Sequence, residues 1–180
     1  RFAFGENYGL AQSPENTFLF FDSFNDVTID PTKWTVTGTG FSTVAGSLRG
    51  GVANGGLNYM RTASGFTLPV IARTRLTETA SAPNGFTTLG FWNSTSDNVT
   101  ILAHVDTSYL SNNGSWSNFP FDGSGVGEVV DEVTMTGSQA RVQRSSSGQS
   151  YDSGLFSYTQ NGERLFIGAR QDFYSNGAQA

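Results

Sequence analysis

No stretch of this chain spaces its apolar residues at the three- and four-residue intervals of an amphipathic helix. About a dozen short runs of strand formers are divided instead by Gly, Asn, Ser and Asp. Such a chain buries its apolar residues by pairing strands, so the expected class is all-β, an antiparallel sandwich of two sheets. A length of 180 residues suits one two-layer domain. We expect the sandwich to occupy residues 17–180. Residues 1–16 read as an N-terminal strand and loop, either exchanged with a neighbour or left from a preceding module.

Residues 17–34 organise the rest. Phe18, Leu19, Phe20 and Phe21 form an apolar run too short for a helix, and it reads as a first core strand buried on both faces. Asp22, Asn25, Asp26, Asp30 and Pro31 stop that strand, and a second begins at Lys33, with Trp34 available to plug the core. Further on, Val70, Ala72, Thr74 and Leu76 share one face of a strand whose other face displays Ile71, Arg73, Arg75 and Thr77. Residues 86–92 and 99–106 form a hairpin pair, with Val99, Ile101, Ala103 and Val105 inward and Thr100, Leu102 and His104 outward. Residues 108–127 read as a long irregular loop carrying Tyr109, Trp116, Phe119 and Phe121. Strands at 127–135, 140–144, 154–158 and 164–170 complete a sandwich of jelly-roll type.

Composition removes several functional classes. Only 14% of residues are charged, with 22 Gly and 15 Phe, which opposes disorder. A formal net charge of −5 opposes a nucleic-acid partner, which needs a basic stripe. No apolar run reaches the ~18 residues of a membrane span, so no membrane insertion is expected. With no cysteine, disulfides and thiol chemistry are excluded. The chain opens at Arg1 rather than Met, which reads as a processed or excised form.

Phe20-Phe21-Asp22-Ser23-Phe24 followed by Asp30-Pro31-Thr32-Lys33-Trp34 resembles the opening of concanavalin A-like (lectin/glucanase, laminin-G-like) jelly rolls of bacterial and archaeal surface proteins. Leu89-Gly90-Phe91-Trp92-Asn93 and Leu165-Phe166-Ile167-Gly168-Ala169-Arg170 resemble later strands of that family. The resemblance implies a fold and an extracellular or cell-surface location, and its motifs carry no reaction. It also implies one further strand after Arg170, where this chain has Asp172-Phe173-Tyr174-Ser175-Asn176-Gly177 and then Ala178-Gln179-Ala180. The expectation is a sandwich lacking its own last strand, open to self-association through the N-terminal strand or an open sheet edge. Phe2, Phe4, Phe173 and Tyr174 are the candidate subunit contacts.

The residues that could carry chemistry are few. Glu128, Asp131 and Glu132 lie where glucanases of this fold place their acids. Glu128 and Glu132 share a face but stand roughly 13 Å apart along a strand. Retaining hydrolysis needs about 5–5.5 Å and inverting hydrolysis about 6.5–9.5 Å. Asp131 points to the other face, so the cluster reads as a solvated strand edge. His104 is the only histidine and no Gly-x-Ser-x-Gly elbow accompanies it, so it reads as a surface residue. No catalytic residue is assigned and no cofactor is expected beyond calcium, for which Asp22, Asp26, Asp30, Asp97, Asp106 and Asp122 could offer loop oxygens. Turn chemistry accounts for each of those acids equally well.

Trp116, Tyr109, Trp92 and Tyr151 could form an aromatic platform for sugar rings. Alternatively, Trp92 is core and Trp116 pins its own loop or packs on a partner. Sequons at Asn93, Asn98 and Asn113 are about as many as chance supplies. The reading that follows is a non-enzymatic extracellular structural or adhesive module, a subunit of a surface filament or similar assembly joined by strand exchange. A carbohydrate-binding, lectin-like module is the alternative. A glycoside hydrolase is a distant third on the carboxylate geometry.

Overall fold

Alternation of large apolar and small polar residues decides which side of each strand turns inward, and pairing of those faces builds two main sheets beside one small two-stranded sheet. The computed structural model describes residues 20, 22–50, 57–77, 85–94, 97–103, 108–121, 128–158 and 164–171; these contain strands and turns and no helix. The strands are β1 (Trp34–Thr37), β2 (Phe41–Val44), β3 (Ser47–Gly50), β4 (Leu57–Thr62), β5 (Val70–Thr77), β6 (Gly85–Ser94) and β7 (Asp97–Ala103). They continue with β8 (Ser108–Asn112), β9 (Ser115–Phe119), β10 (Glu128–Met135), β11 (Gln139–Ser145), β12 (Ser150–Asp152), β13 (Phe156–Ser157) and β14 (Leu165–Gln171).

A seven-stranded sheet runs β1-β4-β14-β6-β7-β8-β9, and a second sheet runs β12-β11-β10-β5, with β13 added to β11. Every pairing is antiparallel. The all-β antiparallel sandwich of jelly-roll type is therefore the architecture.

The core lies between the sheets. Met60, Leu89, Phe91, Val99, Ile101 and Leu110 come from the larger sheet and Val129, Val133, Met135, Ala140 and Val142 from the smaller, all buried. Each such Val, Leu, Ile, Phe or Met side chain contributes about 1.5–3 kcal/mol by leaving water. The two open sides of the sandwich are closed differently. Tyr151 of β12 stacks on Phe119 of β9, with ring centroids 3.9 Å apart and planes 12° apart. At the far side, Trp34 is buried between Phe20 (5.1 Å, edge-on) and Phe24 (5.9 Å, stacked). A third tie joins the sheets where the Tyr158 hydroxyl donates to Asp97 Oδ1 at 2.8 Å.

Several expectations are corrected here. Phe20 belongs to a bend rather than a core strand, and its neighbours 17–19 and 21 lie outside the described residues. Residues 108–119 form the β8–β9 hairpin rather than an irregular loop. Asn113 (φ 49°) and Gly114 (φ 81°) both adopt the left-handed region, as the tight two-residue turn between such strands requires. Asp131 is no solvated edge residue, since β10 is paired on both sides, with β5 and β11, and its inward row reads Val129, Asp131, Val133, Met135. The proposed subunit contacts Phe2, Phe4, Phe173 and Tyr174, and His104, Asp106 and Asp122, lie outside the described residues.

Candidate functional site

The seven-stranded sheet has a second face, turned away from the core, and register places its residues in rows. One row crosses six strands as Arg61, Phe166, Gly90, Thr100, Ser111 and Trp116, each opposite the next. Large side chains therefore stand at both ends of the row and small ones between them. Gly90, Thr100 and Ser111 form a floor of small residues three strands wide, and with strands about 4.8 Å apart the row spans roughly 24 Å.

The wall on the β4–β14–β6 side is a stack of three rings. Phe166 lies between Tyr59 (5.4 Å, 29°) and Trp92 (5.2 Å, 23°). Phe166 is buried at 3% exposure, whereas Tyr59 and Trp92 keep part of their surface. The Arg61 guanidinium carbon sits 5.7 Å from the Tyr59 ring centroid. On the β8–β9 side, Tyr109 meets Trp116 at 6.3 Å and a steep angle, and Trp116 is 45% exposed. The exposed tryptophan follows from β9, whose sequence Ser-Trp-Ser-Asn-Phe buries only Phe119.

The floor is polar and buried. Ser111 Oγ donates to Asn98 Oδ1 at 2.7 Å, Asn98 Nδ2 donates to the Ser94 carbonyl at 3.0 Å, and the Asn98 N–H donates to Asn113 Oδ1 at 3.2 Å. Burial of Asn98 at 1% exposure sets it apart from an exposed glycosylation acceptor. Gly90 is required where it stands: a Cβ there would collide with the Val99 carbonyl oxygen and lie 2.6 Å from Thr100 Cα. Thr100, expected to face outward, does so and is nevertheless fully buried.

Of the four aromatic residues singled out from the sequence, the structure brings Trp92, Tyr109 and Trp116 to this face and takes Tyr151 elsewhere. Tyr151 lies opposite Arg144 in the smaller sheet, against Phe119, and burial, reinforced by the nearby Asp152 charge, raises its phenol above the ordinary range. Tyr59, Arg61 and Phe166 were not anticipated. The alternation of Tyr59 with Arg61 on β4 was the available signal, but which face they shared with Trp92 depended on pairing through β14.

The acids go to other places. Glu128 and Glu132 lie on the outer face of the smaller sheet, where Arg75 (3.2 Å) and Arg73 (3.9 Å) accompany them. Asp131 is buried with Arg144, Nη1 to Oδ2 at 3.3 Å, and the guanidinium carbon lies 5.0 Å from the Phe121 ring centroid. Asp22 accepts from Trp34 Nε1 (2.7 Å) and the Phe24 N–H (2.9 Å). Asp30 accepts from the Thr32 hydroxyl and N–H, which hold its carboxyl below the ordinary range. Among the described residues, no three potential ligands gather at a metal-binding spacing.

No protein-family model and no curated protein matches the sequence. Solved structures do match the fold. A glycosyl hydrolase family protein from Mycobacterium fortuitum superposes with a TM-score of 0.68 at 10% identity, covering 90% of this chain and 95% of that one. A family 16 glycosyl hydrolase from Mycobacterium smegmatis gives 0.65 at 10% identity, covering 90% and 96%. A β-1,3-1,4-glucanase (lichenase) from a mouse hindgut metagenome gives 0.63 at 9% identity, covering 88% and 93%. The chain shares the jelly-roll fold of these proteins.

These neighbours correct the expected role. The non-enzymatic structural or adhesive filament subunit rested on a sandwich lacking a strand. This jelly roll instead matches 93–96% of the length of proteins named as glycosyl hydrolases and a glucanase, which removes that basis. β14, expected to be followed by a further strand, occupies the middle of the seven-stranded sheet between β4 and β6.

Proposed function

We propose that this jelly roll is a carbohydrate-active domain that engages a glycan chain on the outward face of its seven-stranded sheet. The observation that carries the reading is the pair of aromatic clusters, Tyr59–Phe166–Trp92 and Tyr109–Trp116, on either side of a row of small residues. Sugar rings present flat C–H faces that stack on such rings, while ring hydroxyls find polar partners beside them. The floor is already buried, so ligand contact falls on the rings that retain exposed surface, Trp116 above all. The names of the structural neighbours make β-1,3- and β-1,3-1,4-glucans the first polymers to try. Secretion or surface display fits a domain whose substrate is an external polysaccharide.

Titration of gluco-oligosaccharides by calorimetry tests the reading, with reducing-end release followed in the same samples to read turnover. Binding that weakens about two- to tenfold in Trp116→Ala is expected, from the ~0.5–1.5 kcal/mol of one ring contact. A chain that binds no glucan and releases no reducing ends from any of them overturns it.

A further inference from the structure

Arg61 is a cation placed on an aromatic wall with no acid beside it among the described residues. It is half-buried, its Nε is shielded from water and has no hydrogen-bond partner among the described residues, and its guanidinium rests against the Tyr59 ring. The described arginines of the smaller sheet each face a carboxylate: Arg73 faces Glu132, Arg75 Glu128, Arg141 Asp152 and Arg144 Asp131.

Among the described residues, no carboxylate shares the outward face of the seven-stranded sheet. Asp97 turns to Tyr158, Asp22 to Trp34, and the glutamates lie on the opposite sheet. A guanidinium laid on a ring keeps its fork of N–H donors available in the plane, a geometry that matches a carboxylate or a sulfate. Partial burial strengthens such a contact over one in open water.

We infer that the glycan engaged by this face carries anionic substituents, sugar carboxylates or sulfate esters, read by Arg61 from the Tyr59–Phe166 wall. The inference rests on the carbohydrate reading above and adds charge selectivity to it. Arg61 lies opposite Phe166 in register, so an anionic group held by its fork leaves the sugar ring beside the same aromatic stack. The net charge of −5 repels polyanions at long range, and that repulsion is screened beyond about 8 Å at physiological salt. The contact at Arg61 is made at shorter range than that.

The test holds the backbone constant. Neutral β-1,3-, β-1,3-1,4- and β-1,4-linked glucohexaoses are titrated beside their C6-oxidised (uronate) and sulfated forms, against the full chain and against Arg61→Gln and Arg61→Lys. The expected result is that at least one charged form binds more tightly than its neutral parent. Arg61→Gln should erase that advantage, a loss of about tenfold or more, and Arg61→Lys should restore part of it. The advantage should shrink with added salt, and Arg61→Gln should weaken the charged forms more than the neutral ones. Which charged form gains identifies carboxylate or sulfate as the group read. Thermal melting of both variants checks folding. Equal binding of neutral and charged forms, or a charge preference that survives in a folded Arg61→Gln, overturns the inference and leaves the carbohydrate reading standing. Binding of no member of the panel overturns both.

Discussion

Asp131 and Arg144 face each other across β10 and β11 inside the sandwich, an ion pair at 3.3 Å with side-chain exposures of 1% and 0%. The pair sits in rows that are otherwise apolar, Val129–Val133–Met135 on one strand and Ala140–Val142 on the next. Removing either partner leaves a buried charge. Asp131→Ala and Arg144→Ala are each expected to cost about 3–5 kcal/mol, measured by urea denaturation. The double replacement Asp131→Leu/Arg144→Met should recover most of that loss, because it removes both desolvated charges together.

Asp22 holds Trp34 and the Phe24 N–H together through both carboxylate oxygens. Asp22→Ala leaves a buried indole N–H and a buried backbone N–H unsatisfied. A loss of about 2–6 kcal/mol is expected, at ~1–3 kcal/mol for each group. Denaturation followed by tryptophan fluorescence measures it. Asp22→Asn should cost less, since the amide oxygen still accepts one of the two bonds.

Gly90→Ala forces its Cβ into the backbone of β7. Because the obstacle is main chain rather than a flexible side chain, the two strands must separate. A loss of about 3 kcal/mol or slightly more is expected in the same denaturation experiment, at the upper end of overpacking costs.

Phe166 and Trp116 lie at opposite ends of one row and should respond differently. Phe166→Ala removes a buried ring and is expected to cost about 3–5 kcal/mol of stability. Trp116→Ala removes an exposed one and should leave the melting temperature nearly unchanged while weakening glycan binding. Melting and binding measured on both variants separate packing from recognition.

The Arg141 fork, with the Gly154 N–H at 2.8 Å, holds the Asp152 carboxyl down to about 2 from an ordinary 3.8. A depressed carboxylate pKa adds stability that is fully present above 3.8 and is lost as pH falls through about 2. Both side chains are about two-fifths exposed, so solvent screening keeps the contribution small. A carboxyl titration by NMR should place the Asp152 midpoint near 2. Arg141→Gln should move it up toward 3.8.

By itself the sequence determined the class and most of the strands. Period-two alternation at 70–77 and 128–135, and the paired runs around residues 93–98, state which residues of a strand share a face, because side-chain direction is a local consequence of extended backbone. The β8–β9 hairpin was also written locally, in Asn113-Gly114, though its aromatic residues suggested a loop. What lay beyond the sequence was which strands are neighbours. Tyr59, Phe166 and Trp92 are far apart in the chain and meet only because β14 pairs with both β4 and β6. The same holds for Asp131: alternation placed it on the face opposite Glu128 and Glu132, but only pairing with Arg144 on β11 made the interior tolerable for it. Face membership is local, whereas the partner across a sheet is chosen by the tertiary fold, and both the aromatic walls and the buried ion pair depend on that choice.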